Sequence, residues 1–189
     1  MLLAILLLLA PLGLRELVHW RCVPRSSTSG SGKTVGGHLT AGTWNALYVV
    51  LLSLALYGAI ERALWEGWII GLPLLWSGAL LRAWAYRALG RHYTVTIFVR
   101  EDHTLVTSGP YRWLRHPLHL GLNLEMLGLA LVGLSTLSLG LAGLGILVLF
   151  LRNRIEERAL VEGLGESYRG YREHAWDVID LLPARLRGS

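Results

Sequence analysis

The chain has 189 residues, 53% of them hydrophobic, with 18 Lys and Arg against 13 Asp and Glu for a formal charge of +5. That length suits one compact unit, but a mean hydropathy of +0.45 is more apolar than one soluble core needs, so the excess belongs in lipid. A single cysteine, Cys22, excludes an intrachain disulfide and a cysteine-rich zinc site.

A spanning helix needs about 20 largely apolar residues, which predicts an all-α integral membrane protein with five transmembrane helices at 1–18, 43–60, 67–87, 118–134 and 135–151. Met1 to Ala10 carries no basic residue, so the first is read as a span and not a cleaved signal peptide. Residues 24–42, PRSSTSGSGKTVGGHLTAG, lack apolar periodicity and read as a flexible cytoplasmic loop. Its Gly32-Lys33-Thr34 is not a phosphate-binding loop, because Ser27 stands where the first glycine of that motif belongs. The third helix contains Pro73, tolerated in membrane helices, and Arg82 and Arg87 near its inner end can snorkel. RHYTVTIFVRE then alternates briefly, as a short extended or irregular interfacial segment would. Helices four and five meet around Leu134 to Thr136 with almost no loop, a tight hairpin. Its glycines Gly128, Gly133, Gly140, Gly143 and Gly145 allow close helix approach. After Leu151 the pattern turns amphipathic, RNRIEERALVEGLGESYRGYREH, a cytoplasmic helix that Gly163 and Gly165 interrupt or end.

Basic residues near membrane ends stay cytoplasmic. All 18 Lys and Arg except Arg62 fall on one side of the five spans, which places the N-terminus outside and the two polar patches, 100–121 and 152–158, together on the cytoplasmic face. The positive charge is then a topology signal, and no nucleic-acid partner is expected.

Those two patches hold the candidate chemistry. Arg152 and Glu156 are i,i+4 neighbours and share one helical face at the membrane edge. His116-Pro117 opens helix four, and His103, Tyr111, His116 and His119 crowd one short loop, a plausible ligand cradle. Asn123 and Glu125 lie inside helix four, where a carboxylate costs several kcal/mol unless paired or reached by water; Arg82 or Arg87 is the expected partner. Either residue could contribute to an acceptor pocket. His116 and His119 have no third ligand nearby in sequence, and no metal site is expected.

Leu105-Val-Thr-Ser-Gly-Pro-Tyr111, Arg115-His-Pro117 with Gly121, and Arg152 followed by Glu156-Glu157 and Gly165-Glu-Ser-Tyr168-Arg-Gly-Tyr171 together resemble the isoprenylcysteine carboxyl methyltransferase family and its prokaryotic relatives. The resemblance covers roughly residues 88–172. It implies a multi-pass membrane methyltransferase using S-adenosyl-L-methionine, with 88–189 as the catalytic region behind an N-terminal region 1–87. The helix 3–4 loop and the C-terminal helix would form the cofactor site. Carried over by motif, His103, Thr104, Leu105, Val106, Tyr111, His116, Pro117, Leu118, His119 and Glu156 would line that site, and Arg152 would face the methyl acceptor. The implied partners are the bilayer and a lipophilic or prenylated acceptor. Three features depart from the pattern: His119 where the family has Tyr, Glu125 in the following helix, and a longer segment after Tyr171.

A carboxylate acceptor is already ionised at neutral pH and needs no general base. Arg152 would then orient the anion and Glu156 would steady the cationic cofactor. A thiol or amine would need a base, with His119 or Glu125 as first candidates. A phospholipid headgroup acceptor, an NADPH-dependent membrane reductase and a small transporter with Glu125 on its path are the remaining alternatives.

Overall fold

The computed structural model describes residues 2–23, 32–34, 39–61, 65–90, 98–100, 105–177 and 180. Its elements in chain order are α1 (Leu2–Cys22), β1 (Gly32–Thr34), α2 (Leu39–Glu61), α3 (Trp65–Leu89), β2 (Phe98–Arg100), a 3-10 helix (Gly109–Arg112), α4 (Pro117–Gly133), α5 (Thr136–Leu164) and α6 (Glu166–His174). Five long helices thus stand where apolar runs predict them. Two of them, Glu66–Leu89 and Thr136–Leu164, are long and apolar enough to cross a membrane, while Ala46–Gly58 and Pro117–Gly133 are shorter apolar stretches.

Helix α4 sits at the centre, against α2, α3 and α5, and α1 packs on α3. The core lies between them, with Leu8, Leu51, Leu75, Met126, Leu129 and Leu149 all buried. Outward, Leu3, Leu6 and Leu17 of α1 and Leu144, Leu147 and Leu151 of α5 are exposed. Such a continuous leucine exterior is matched to lipid chains, since water would penalise every side chain left on it.

The α3–α4 contact depends on glycine. A Cβ on Gly128 would stand 2.6 Å from the Gly71 carbonyl oxygen, and one on Gly71 would stand 2.7 Å from that of Gly128. Backbones this close gain dispersion contacts that lipid cannot replace. Gly128→Leu is therefore expected to destabilise the protein by about 3 kcal/mol, read as a fall in Tm in detergent; an unchanged Tm would mean the two helices do not approach so closely. Gly133 and Gly145 also face neighbours, against Ala55 and Met126. Gly140 and Gly143 do not, with nothing within 4 Å of either. They lie on the outward face of α5, which corrects the expectation that all five serve close approach.

The hairpin between α4 and α5 is as tight as the sequence indicates. Leu134 takes the left-handed conformation at φ 37° to end α4, and Ser135 caps α5 by accepting from the Ser138 backbone N–H at 3.0 Å. Helix α5 then runs unbroken for 29 residues, about 44 Å at 1.5 Å per residue, against a hydrocarbon layer of about 30 Å. The span and the polar RNRIEER stretch are thus one rod and not two helices. Gly163 stays inside it, and Gly165, at φ 57°, ends it.

One segment differs from expectation. Gly32–Thr34, within the stretch read as a flexible loop, pairs antiparallel with Phe98–Arg100, Lys33 opposite Val99. Among the described residues, the extended pairing is this three-residue ladder and a single bridge between Leu114 and Trp176, and the long elements are all helical.

Inside the helices lies one polar cluster. Glu125, with no exposed surface, accepts from Arg15 Nη1 at 2.6 Å and from Arg82 Nη1 at 2.8 Å. Arg82 also donates to the Tyr86 hydroxyl at 2.9 Å, and Arg15 pairs with Glu16. Arg82 is one of the two partners expected for Glu125. Arg15, more than a hundred residues away in sequence, is the second partner that the apolar pattern did not reveal.

Candidate active site at the junction of α4, α5 and α6

Pro117 occupies the first helical position of α4, where its missing N–H costs nothing. His116 is the N-cap but makes no side-chain capping bond, so its imidazole is available elsewhere. It donates from Nε2 to Glu157 Oε1 at 2.8 Å. Glu157 also accepts from Arg115 Nη1 at 2.7 Å and from the Tyr168 hydroxyl at 2.6 Å, and Arg172 Nε stands 3.5 Å away. One carboxylate on α5 thereby joins the start of α4 to α6.

The chain beyond α6 returns along the same corner. Trp176 exchanges backbone bonds with its neighbours, accepting from the Arg115 N–H at 2.9 Å and donating to the Trp113 carbonyl at 2.8 Å. Arg115 Nη2 donates to Asp180 at 2.6 Å. The Tyr171 hydroxyl donates to the Tyr111 carbonyl at 2.6 Å. A segment without apolar periodicity is therefore held by polar bonds to the His-Pro turn.

Charge follows from this geometry. Burial disfavours the His116 imidazolium, but the bond to Glu157 and the fields of Glu156, Asp177 and Glu157 outweigh it and raise its pKa above 6.5. Burial and the adjacent Glu157 carboxylate push the Tyr168 hydroxyl well up, so it acts only as a donor. Burial, with Glu157 nearby, moves Tyr171 to about 12.

One turn into α4, His119 stacks on His116, ring centroids 5.7 Å apart and planes inclined by 16°. Its Nδ1 bonds to the Asn153 side-chain oxygen of α5. Its Nε2 faces Glu156 Oε2 at 4.0 Å, beyond hydrogen-bond reach. Arg152 lies close enough to act electrostatically on His119. The structure therefore gathers His116, His119, Arg152 and Glu156 in one place, from two patches separated by the whole α4–α5 hairpin.

The other expected site residues are distributed around this corner. Tyr111 and Pro117 are buried in the turn, and Leu118 is half-buried beside them. Leu105 and Val106 are half-buried in the irregular stretch leading to the 3-10 helix. Asn123 follows His119 by one turn, its Oδ1 buried without a hydrogen-bond partner. Glu125 sits six residues beyond His119, on another face of α4, within the Arg15–Arg82 cluster. His103 and Thr104 lie outside the described residues.

Glu157, Asn153, Arg115 and Tyr168 carry the connections, and none was singled out from the sequence for a role. The available signal was spacing: Asn153 and Glu157 are i,i+4, one position on from Arg152 and Glu156, and both are buried. His116, His119 and Glu156 bring ligand-capable atoms within 4.8 Å of one another, as do His116, Glu157 and Asp177. In the second group Glu157 already accepts from three donors, and in the first Arg152 opposes a metal cation.

A family model described as phospholipid methyltransferase matches residues 65–167, from the start of α3 to the start of α6. The probable protein-S-isoprenylcysteine O-methyltransferase of Oryza sativa subsp. indica is 30% identical over 148 residues, covering 72% of this chain and 75% of its own. The protein-S-isoprenylcysteine O-methyltransferase of Dictyostelium discoideum is 29% identical over 115 residues, 59% of this chain and 48% of that one. That of Schizosaccharomyces pombe is 34% identical over 116 residues, 59% and 49% respectively. This chain thus spans about half the length of several curated relatives it matches. A solved eukaryotic intramembrane Ras methyltransferase, an isoprenylcysteine carboxyl methyltransferase, superposes with a TM-score of 0.58 at 22% identity, over 82% of this chain and 55% of that one, which shows a common fold. With the family model covering more than half of the sequence and the rice relative most of it, the chain belongs to the phospholipid methyltransferase family, among the isoprenylcysteine carboxyl methyltransferases.

Proposed function

We propose that this chain transfers a methyl group from S-adenosyl-L-methionine to a lipophilic acceptor at the cytoplasmic face of a membrane, the carboxylate of a prenylated cysteine being the acceptor class its relatives name. The observation that carries this reading is the convergence of Glu156, His119, His116 and Arg152 where the second half of α5 meets the start of α4. The reading places all five long helices across the membrane with the N-terminus outside, on the asymmetry of basic residues. Residues 88–189 then form the catalytic region on the scaffold of 1–87.

The residues present fit such a cofactor. Glu156 is a half-buried carboxylate that faces His119 Nε2 at 4.0 Å, so its charge is available to a cationic ligand. The orphaned Asn123 oxygen offers a further acceptor one turn below. When bound, the cofactor supplies an electrophilic methyl on a positively charged sulfur. Glu156 steadies that positive charge, with His116 and His119 beside it. Leu105, Val106, Tyr111, Pro117 and Leu118 form the apolar wall. Arg152 holds the acceptor carboxylate, and Asn123 borders the acceptor. Glu125 serves the acceptor side through Arg82, by holding α3 against α4. Alignment of donor and acceptor supplies much of the rate, and a carboxylate needs no base at neutral pH. A lipophilic acceptor enters sideways from the bilayer, while the cofactor enters from the aqueous side.

Titrating the purified chain with S-adenosylhomocysteine is expected to show saturable binding, weakened about tenfold in Glu156→Gln by loss of a charged contact. Equal affinities would remove Glu156 from the cofactor site.

A further inference from the structure

The histidine at position 119 is held as a base would be. The Asn153 oxygen can only accept, so the His119 Nδ1 carries the proton and Nε2 keeps its lone pair. Asn153 is buried on the rigid rod of α5, which fixes both tautomer and ring orientation, the logic of a base positioned by a third group. Nε2 makes no hydrogen bond to a described residue, since Glu156 stands 4.0 Å off, and the side chain keeps 17% of its surface exposed. A ligand atom can therefore reach it.

The neighbouring candidates are disqualified by their contacts. Glu125 is wholly buried and clamped by two guanidinium groups, so no acceptor atom reaches it. His116 spends its Nε2 proton on Glu157 and is itself held toward the charged form. Among the described residues, the charged or titratable groups facing His119 are Glu156 and Arg152 from α5 and His116 from the start of α4. Arg152 supplies what a base of this kind needs beside it, a fixed positive charge for the anion formed when the acceptor loses its proton.

We propose that His119 is a general base, and that this chain accordingly also methylates lipophilic acceptors whose nucleophilic atom arrives protonated, namely thiols and phenols. The inference rests on the methyl-transfer reading above. The acceptor's S–H or O–H proton passes to His119 Nε2. The electron pair left on that atom forms the new bond to the methyl carbon, and the carbon–sulfur bond of the donor breaks with its pair remaining on sulfur. The products are the methylated acceptor, S-adenosylhomocysteine and a His119 imidazolium that returns its proton to water.

The test measures transfer of labelled methyl by the full chain in nanodiscs to a series of long-chain alkyl phenols of graded acidity, a long-chain thiol and a prenylated cysteine carboxylate. Wild type and His119→Gln are compared. General-base catalysis is worth about 100-fold or more, so the variant should lose that much on the least acidic phenol at neutral pH. Its deficit should shrink as the acceptor becomes more acidic or as rising pH ionises it. Asn153→Leu, which keeps the imidazole but frees its Nδ1, should lose kcat on the same acceptors in the same graded way. An equal deficit across the whole series would overturn the proposal, because a ring that merely shapes the pocket is blind to acceptor acidity. Methylation of the carboxylate with none of phenol or thiol would overturn it too, while leaving the methyltransferase reading intact. No S-adenosylhomocysteine binding and no transfer to any acceptor would bring down both.

Discussion

Glu125→Leu is expected to lower stability by about 3–5 kcal/mol, the cost of stranding buried charges by removing their partner. Arg15 and Arg82 both point their Nη1 atoms at Glu125, and their side chains are only 10% and 13% exposed. Without the carboxylate, two guanidinium groups stay inside the bundle, Arg15 beside Glu16 and Tyr48 and Arg82 beside Tyr86. Apolar lipid offers them no alternative solvation. The measurement is thermal unfolding of purified protein in one detergent. A control follows from the same physics: combining Glu125→Leu with Arg15→Leu and Arg82→Met removes all three charges, and should restore most of the loss. A Tm of the single variant equal to wild type would show that the cluster holds nothing together.

Glu157→Gln is expected to cost about 3 kcal/mol and to weaken cofactor binding more than its distance from Glu156 implies. It accepts from Arg115, His116 and Tyr168 at once, and a neutral amide can satisfy none of the charged donors as well. Because it joins α4 to α6, its loss frees the His-Pro turn as well as the C-terminal segment. The same corner predicts a pH dependence. His116 has a folded pKa raised above its ordinary 6.5, so its contribution to stability is fully present below that value. It is lost as pH rises through the folded value. Unfolding followed from pH 5.5 upward should therefore show Tm falling in wild type, and this component should be absent in His116→Asn. A His116→Asn variant with the wild-type pH profile would assign the dependence to another group.

Much of the fold was written in local patterns. Five helices follow from apolar stretches of sufficient length, the α4–α5 hairpin from the missing loop at Leu134 to Thr136, and the end of α5 from Gly165. The association of the His116 turn with the Arg152–Glu156 face was also legible, through motif order. What local pattern missed has one common cause, that it does not show which residues of different helices meet. Gly140 and Gly143 look like packing glycines until the outward face of α5 is known. Arg15 reads only as one of the basic residues that set the orientation until α1 is laid on α3 beside Glu125.

The pair Glu156-Glu157 shows the division most sharply. Composition and spacing determined that two carboxylates follow the long apolar run one turn after Arg152, and that a helix carries them. Successive residues on that helix point about 100° apart, so one turns toward His119 and the other to Arg115, His116 and Tyr168. Apolar length and backbone propensity act along the chain and are complete in the sequence. Which acid is tied to Arg115, His116 and Tyr168 and which is left facing His119 depends on where α4 and α6 dock against α5, and only three-dimensional packing decides that.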